Sequence, residues 1–283
     1  MIKAAIVLLV VLAMGGGARA APARILAAES VYGQVAAEIA GSAADVTSVL
    51  TNPGQDPHDF EANASTARAV ANAAIVIVNG AGYDPWMDRL LAASPAPGRA
   101  VISVALLVGA RPGANPHLWY DPAVAPLVAR AVAAALAQRH DAGVQQRLTS
   151  FLQGTDQLRA RITALRGRLA GVKVEATEPV FDYMAAALGL TMRNARFQLA
   201  VMNGTEPRAS DVAAMEDDLR AHRVRALIYN TQVSDPATVR LRGIADAAGV
   251  KLIGVSETLP PGQTYLAWMQ AELDAVARAL GAS

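Results

Sequence analysis

The chain has 283 residues, of which 53% are hydrophobic and 17% are charged, and its formal net charge at pH 7 is +1. This length and apolar content suffice for the core of one large domain or two ordinary domains, which excludes a disordered chain. The near-neutral charge, without a basic stripe interleaved with aromatic residues, argues against nucleic-acid binding.

The first twenty residues have the features of a signal peptide. Lys3 provides a positive start, residues 6–14 form an apolar run that is short for a bilayer span, and Ala18 and Ala20 have cleavage-site spacing. Cleavage after Ala20 would remove two basic residues and no acidic one, so the formal charge would become −1. No later run of about 18 apolar residues occurs, so membrane insertion is not expected.

The sequence contains no cysteine. This excludes disulfides, thiolate zinc sites and thiol catalysis, and it removes the cysteine that would attach an exported lipoprotein to lipid. With the signal peptide, it predicts a free periplasmic protein that is not a lipoprotein. A metal site built from imidazole and carboxylate groups would also resist oxidation in that compartment.

From residue 21 to about residue 140, short apolar runs alternate with amphipathic stretches. The unbroken β-branched run Ile75–Val78 is typical of a strand buried on both faces of a parallel sheet. Asn63 or Ser65 is expected to cap one helix, and Asp121 with Pro122 is expected to open another. The predicted strands are 24–28, 46–50, 75–78 and 101–104, and the predicted helices are 32–39, 65–73 and 86–92.

Between residues 140 and 171 the pattern changes to apolar residues at spacings of three and four, which predicts one long amphipathic helix. At about 1.5 Å per residue it would extend about 40 Å, the width of two small lobes. After it, strands are predicted at 172–176, 226–229 and 252–255, and helices at 179–188, 211–222, 236–248 and 265–280.

The pattern therefore predicts an α/β protein with two similar lobes, each a parallel sheet flanked by helices, joined by one long helix. The expected boundaries are a signal peptide at 1–20, an N-terminal lobe at 21–140, a linking helix at 141–171 and a C-terminal lobe at 172–283. A rigid helical linker favours a small motion between the lobes.

Ligands of parallel sheets bind just beyond the carboxyl ends of the strands, so polar residues at those points are candidates for a site. His58 and His117 each follow a proline in a loop of the first half, and Glu178 and Glu257 follow strands of the second half. Two imidazoles and two carboxylates would form a charge-neutral cage around a divalent cation.

Each candidate also has an ordinary explanation. A loop histidine is often solvated, Glu178 could be a helix-start acid stabilised by the helix dipole, and Glu257 could be a solvated turn residue. His140 and His222 are interpreted as exposed helix-end residues and are left out of the site. On the residues alone, both explanations stay open, and only the joint placement of four ligand-type residues favours a metal.

Five stretches resemble the cluster A-I substrate-binding proteins of ABC transporters, which bind zinc or manganese in the periplasm or at the cell surface. They are GQDPHDF at 54–60, NGAGYDPWM at 79–87, PHLWYDP at 116–122, ATEPVF at 176–181 and ETLPPG at 257–262. The resemblance covers the expected mature chain in order. It implies that His58, His117, Glu178 and Glu257 are the metal ligands.

The resemblance also implies a function. The protein would capture a divalent metal ion, manganese or zinc, between its lobes and deliver it to a membrane permease with its ATPase for import. It would be a monomer without enzymatic activity, and the metal would be its transported ligand.

The chain departs from the zinc branch of that family at two ligand positions and in lacking a loop rich in histidine and acidic residues. Glu178 stands where that branch often has histidine, and Glu257 stands where aspartate is usual. A carboxylate can bind a metal through one or two oxygens, which favours manganese, but affinity rises from Mn²⁺ to Zn²⁺ at almost any such site. The choice between the two metals stays open.

Two other functions are considered. A metal-dependent hydrolase could use Glu178 or Glu257 as a base, but the chain has neither a His-Glu-x-x-His pattern nor a Gly-x-Ser-x-Gly elbow. A binding protein for an organic solute would need aromatic and arginine contacts in the cleft. Trp86, Trp119 and Trp268 are available, although the first two are expected to pack beside the loops.

Overall fold

The computed structural model describes residues 22–54, 57–111, 113–137 and 142–282. The predicted signal peptide and His140 lie outside these ranges, as do Gln55 and Asp56 of the first proline-histidine loop.

The first half folds around a four-stranded parallel sheet with the order β2-β1-β3-β4. Its strands are β1 (Ala23–Glu29), β2 (Ala44–Leu50), β3 (Ile75–Val78) and β4 (Ala100–Ser103). Its helices are α1 (Ser30–Ala40), α2 (Ala64–Asn72), α3 (Pro85–Ala93), α4 (Val104–Val108) and α5 (Val124–Leu136). All four residues of β3 are buried, as its β-branched run predicts.

The second half repeats this architecture, with a parallel sheet in the order β6-β5-β7-β8. Its strands are β5 (Lys173–Ala176), β6 (Thr191–Met192), β7 (Ala226–Asn230) and β8 (Lys251–Val255). Its helices are α7 (Asp182–Ala187), α8 (Ala195–Met202), α9 (Ala209–Arg220), α10 (Pro236–Ala248) and α11 (Tyr265–Leu280). In each lobe the second strand of the chain lies at one edge, so the two sheets have the same topology. The predicted fold class is confirmed.

The two lobes are joined by one long helix, α6 (Ala142–Leu169), which has 28 residues and a length of about 42 Å. Near its start, the Arg147 guanidinium donates to the carbonyl oxygens of Ile39 (2.8 Å) and Ala40 (2.7 Å), at the end of α1. Near its other end, Arg168 donates to the carbonyl oxygen of Ala282 (2.9 Å) in the second lobe. No helix in the described part of the chain has the length and apolar content needed to cross a bilayer.

The helix predicted to open at Asp121 and Pro122 begins later, at Val124, so that prediction is wrong. The Asp121 carboxylate accepts a hydrogen bond from the Ala123 N–H group (2.9 Å), and this forms a turn before the helix. Asn63, one of the two residues considered, caps α2 by accepting from the N–H groups of Ser65 (2.9 Å) and Thr66 (3.1 Å).

Other differences concern short elements. The strand predicted at 101–104 ends at Ser103, which caps α4. The helix predicted at 179–188 divides into a 3₁₀ helix, Pro179–Phe181, followed by α7. The two-residue strand β6 and the eight-residue helix α8 were not predicted. Elements of this size have too few residues to establish a periodicity.

Candidate metal centre

Three of the four predicted residues converge between the lobes. Suitable ligand atoms of His58, His117 and Glu257 all lie within 4.8 Å of one another, and no other such group of histidine, cysteine or acidic residues occurs in the described ranges. Glu257 Oε2 lies 3.3 Å from Nε2 of His117 and 3.6 Å from Nε2 of His58. Residues 199 positions apart in sequence therefore meet because both sheets direct their carboxyl ends to the same cleft.

Glu178 lies outside this group of three and is connected to it by Asn230. The Asn230 side-chain amide donates to Oε2 of Glu178 (2.8 Å) and to Oε1 of Glu257 (2.7 Å). All three residues are buried. The structure thus places the two carboxylates on either side of one amide group.

Local structure aims the two imidazoles. His58 is in the 3₁₀ helix Pro57–Asp59, and His117 directly precedes the 3₁₀ helix Leu118–Tyr120. The His58 side chain is 38% exposed, whereas the His117 side chain is 1% exposed. His58 therefore lies at the mouth of the cleft and His117 at its base.

Asn115 fixes the tautomer of His117. Asn115 Oδ1 accepts from the His117 N–H group (3.0 Å) and lies 2.6 Å from Nδ1 of the same residue. Asn115 Nδ2 donates to the carbonyl oxygen of Pro179 (2.6 Å), so the orientation of the amide is set. Because Oδ1 can only accept, the ring proton is on Nδ1 and the Nε2 lone pair faces the cleft.

The buried Nε2 atom of His117 has no hydrogen-bond partner, yet it lies 3.3 Å from the carboxylate oxygen of Glu257. With the proton on Nδ1, two lone-pair-bearing atoms face each other across this distance. Such a contact is stable only with positive charge between the atoms, either a second proton on the ring or a cation. The arrangement fits a metal ion bound by nitrogen and oxygen donors.

Tyr83 approaches the same carboxylate from the first lobe. Its hydroxyl group donates to Oε2 of Glu257 (2.8 Å), and its ring contacts that of His58 edge-on at 5.3 Å between centroids. Tyr83 follows a turn in which Gly80, Ala81 and Gly82 all have positive φ, which glycine tolerates and other residues rarely adopt. The turn directs Tyr83 towards the cleft.

The electrostatics of the site keep Glu257 ionised. Burial raises the pKa of Glu257, but this is outweighed by His117, by the charge of His58 when protonated and by the Tyr83 hydroxyl, so that its pKa falls to about 2. The loop is also held by Gln232, whose side-chain oxygen accepts from the N–H group of Glu257 (2.6 Å). With both carboxylates ionised and both imidazoles neutral, the four predicted residues carry two negative charges, which match a divalent cation.

Hydrogen bonds join the lobes around this cleft. The Tyr120 hydroxyl donates to the carbonyl oxygen of Ser256 (2.9 Å), and the Tyr183 hydroxyl donates to that of Asn115 (2.8 Å). The Leu259 N–H group donates to the hydroxyl oxygen of Ser30 (3.1 Å). The carboxylate-bearing loop is therefore attached to the first lobe as well as to its own sheet.

Three residues of the site were missed in the sequence: Tyr83, Asn115 and Asn230. Asn230 is the last residue of β7 and could have been found by the rule that identified the acids, since it is polar and ends a strand. Tyr83 lies in the stretch 79–87 and Asn115 directly precedes the stretch 116–122, but no local sequence pattern marks either residue as part of the site. The exposed His222, just beyond α9, matches its interpretation as a helix-end residue.

The model of one protein family, described as zinc-uptake complex component A, periplasmic, matches residues 25–279. A manganese-binding lipoprotein, MntA, from Halalkalibacterium halodurans is 32% identical over 103 residues, which are 35% of this chain and 33% of that protein. The iron-binding protein YfeA from Yersinia pestis is 22% identical over 273 residues, covering 91% of this chain and 86% of its own.

Solved structures share the fold. The periplasmic zinc-binding protein TroA from Treponema pallidum has a TM-score of 0.77 at 20% identity, over 92% of this chain and 99% of that chain. The protein FpvC from Pseudomonas aeruginosa, solved with Mn²⁺, has a TM-score of 0.74 at 23% identity, over 92% and 98% of the two chains. These identities establish a common fold, and the family match covers nearly all of the described residues. The chain therefore belongs to the family of zinc-uptake complex component A, periplasmic proteins.

Proposed function

We propose that the protein captures one divalent metal ion, manganese or zinc, between its lobes and delivers it to the permease and ATPase of an ABC transporter for import. The ligands are His58, His117, Glu178 and Glu257. The family match and the names of the relatives, which include manganese-, iron- and zinc-binding proteins, support a metal as the transported ligand.

One observation carries the proposal: the buried lone pair of His117 Nε2 faces the ionised carboxylate of Glu257 at 3.3 Å. A buried pair of this kind requires a cation, and the metal-free protein can supply only a proton there. A divalent metal would replace that proton and bring in the second imidazole and the second carboxylate as further ligands.

The family is one of metal-uptake components, so a hydrolase is not retained as a second function. An organic solute is not favoured either. Trp86, Trp119 and Trp268 are all buried in the hydrophobic core, where they pack against other residues instead of lining a binding surface.

On this proposal the chain is exported, is cleaved after Ala20, remains free in the periplasm and acts as a monomer. Residues 21–140 and 172–283 form the two lobes, and residues 141–171 form the link between them. Mass spectrometry of the periplasmic fraction tests the cleavage, and light scattering of the purified protein tests the monomer.

The direct test is calorimetric titration of the metal-free protein with Zn²⁺ and with Mn²⁺. We expect one ion per chain and a loss of affinity in His117→Ala and Glu257→Gln. His222→Ala is the matched control, because His222 is exposed and lies outside the group formed by His58, His117 and Glu257. Absence of binding by the wild-type protein, or an equal loss in the control, would exclude the proposed site.

A further inference from the structure

The Asn230 side chain reaches both acidic residues of the second lobe. In the sheet order, β7 lies between β5 and β8. The chain leaves β5 towards Glu178 and leaves β8 towards Glu257, and Asn230 ends the strand between them. The residue is 1% exposed, so its amide group has little access to solvent and must find its partners within the protein.

The orientation of this amide is set by its own backbone surroundings. Asn230 Oδ1 accepts from the N–H group of Gln232 (3.0 Å), which turns the nitrogen towards the carboxylates. Nδ2 then donates to Oε2 of Glu178 (2.8 Å) and to Oε1 of Glu257 (2.7 Å). An amide nitrogen has two hydrogens, and each carboxylate receives one of them.

The amide therefore engages one oxygen of each carboxylate. At Glu257 the amide holds Oε1 on the side away from the two imidazoles. The other oxygen, Oε2, also accepts from the Tyr83 hydroxyl (2.8 Å), and it lies 3.3 Å from Nε2 of His117 and 3.6 Å from Nε2 of His58, so it is the oxygen that faces the metal. At Glu178 the amide holds Oε2.

We infer that Asn230 determines metal specificity by limiting Glu178 and Glu257 to one metal-binding oxygen each. This inference rests on the proposed function. With two imidazole nitrogens, the site then has four protein donors. Four mixed nitrogen and oxygen donors suit tetrahedral Zn²⁺, whereas Mn²⁺ prefers about six oxygen-rich donors and would need both oxygens of a carboxylate or added water.

A neutral amide suits this role better than a charged group. An acidic side chain at position 230 would add a third negative charge beside two buried carboxylates. A lysine would neutralise one of the charges that hold the cation. The amide makes charge-assisted hydrogen bonds to both carboxylates and leaves their combined charge of two unchanged.

The test uses Co²⁺, because four-coordinate Co²⁺ absorbs visible light much more strongly than six-coordinate Co²⁺. We expect the wild-type protein with Co²⁺ to show the strong bands of a four-coordinate ion. Asn230→Ala frees both engaged oxygens, so its bands should weaken as the coordination number rises. By competition titration, the ratio of the Mn²⁺ to the Zn²⁺ dissociation constant should fall about tenfold in Asn230→Ala.

Gln232→Ala is the matched control. It removes the side chain that holds the Glu257 loop through the N–H groups of Glu257 (2.6 Å) and Thr258 (3.0 Å), but it leaves the Asn230 amide in place. We expect this variant to bind all three metals more weakly, with the band intensity and the ratio of dissociation constants preserved.

The outcomes separate the inference from the function on which it rests. Weak, six-coordinate bands in the wild-type protein overturn the inference without any variant. An unchanged spectrum and an unchanged ratio in Asn230→Ala also overturn it, provided that the variant unfolds cooperatively on heating. If that variant does not fold, Asn230→Leu, which has a similar volume, no charge and no donor, is measured in its place. Failure of the wild-type protein to bind Zn²⁺, Mn²⁺ or Co²⁺ overturns the proposed function instead.

Discussion

The two lobes contribute different chemistry to the cleft and support it differently. The first lobe supplies imidazoles on short proline-containing loops, and the His58 side chain is 38% exposed. The second lobe supplies carboxylates at strand ends, and the Glu257 side chain is completely buried. Glu257 accepts hydrogen bonds from Tyr83 and Asn230, while the backbone of its loop is held by Gln232.

This difference follows from the cost of burying charge. A neutral imidazole can lie partly in water, as His58 does, or be held by one amide group, as Asn115 holds His117, whereas an ionised carboxylate away from water needs several hydrogen-bond donors. Glu257 is therefore held by donors from both lobes, Tyr83 of the first and Asn230 of the second. The first lobe can leave His58 at the mouth of the cleft, where it can complete the site last.

The largest expected effect on metal affinity comes from removing an imidazole, and it should differ between the buried His117 and the partly exposed His58. His117→Ala should weaken Zn²⁺ binding by about a thousandfold, since loss of a buried ligand exceeds the 10–100-fold effect of an outer partner. His58→Ala should cost less, because water can replace a ligand that is partly exposed. Calorimetry on both variants measures this, and a larger loss in His58→Ala would contradict the comparison.

The pH dependence of metal affinity separates the imidazoles of the first lobe from the carboxylate of Glu257. The pKa of Glu257 is about 2, so this carboxylate stays ionised between pH 5 and pH 7 and contributes no change there. Imidazole must be neutral to bind a metal and has a reference pKa of about 6.5, so the affinity of a site with two imidazole ligands should fall several hundredfold, roughly 25-fold for each imidazole, from pH 7 to pH 5.

Calorimetry near pH 6 in buffers of different ionisation enthalpy provides the measurement. Metal binding should release protons, and the observed heat should therefore depend on the buffer. A heat that is the same in every buffer would show that the two imidazoles do not act together as ligands.

Glu178→His tests the second lobe by replacing a charge with an imidazole. The substitution removes one negative charge, which costs the more ionic Mn²⁺ more than Zn²⁺, and imidazole suits zinc well. Since Asn230 already engages one oxygen of Glu178, the loss of a second oxygen should add little. We expect the ratio of the Mn²⁺ to the Zn²⁺ dissociation constant to rise about tenfold, and competition titration of both proteins measures it. A change below about threefold would mean that Glu178 does not influence selectivity.

Much of this organisation could be predicted from the sequence, because it depends on strong local patterns. The β-branched run of β3 and the repeat of α6 are long enough to define their elements, and the strand-end rule located four polar residues. Their assignment as ligands stays a prediction. The donors that hold the carboxylates were not predictable in the same way, since Tyr83 reaches Glu257 across 174 positions of sequence.

The smallest expected effect is on stability and concerns Glu175, a carboxylate of the second lobe that has fewer hydrogen-bond donors than Glu257. Glu175 is buried in β5, accepts a hydrogen bond from Asn194 through Oε1 and has no partner for Oε2. Burial raises the pKa of Glu175 to about 8; the hydrogen bond from Asn194 lowers this pKa and the charge of Asp218 raises it, but burial has the largest effect. Between about pH 2 and pH 8, Glu175 is thus mostly neutral, whereas Glu257, which has more hydrogen-bond donors, is ionised.

This difference sets the sign of a stability change with pH. Between the unfolded pKa of about 4.5 and the folded pKa of about 8, the unfolded chain releases a proton that the folded chain keeps. The free energy of unfolding should therefore be highest below the lower value and fall as the pH rises through this window, by at most about 1.4 kcal/mol per pH unit from this group. Glu175→Gln stays neutral at every pH, so its thermal midpoint should decrease less between pH 5 and pH 8 than that of the wild-type protein.

Glu216 provides the opposite case in the same lobe and hence the control. Hydrogen bonds from Arg240 and Arg220 lower the pKa of Glu216 to about 2, so it is ionised in both the folded and the unfolded chain from about pH 5.5 upwards. Glu216→Gln should lower the thermal midpoint by a similar amount at pH 6 and pH 8, without changing the slope. If Glu175→Gln likewise shifts the midpoint equally at both pH values, then Glu175 is ionised in the folded protein, and a buried carboxylate of this lobe stays charged without the donors that surround Glu257.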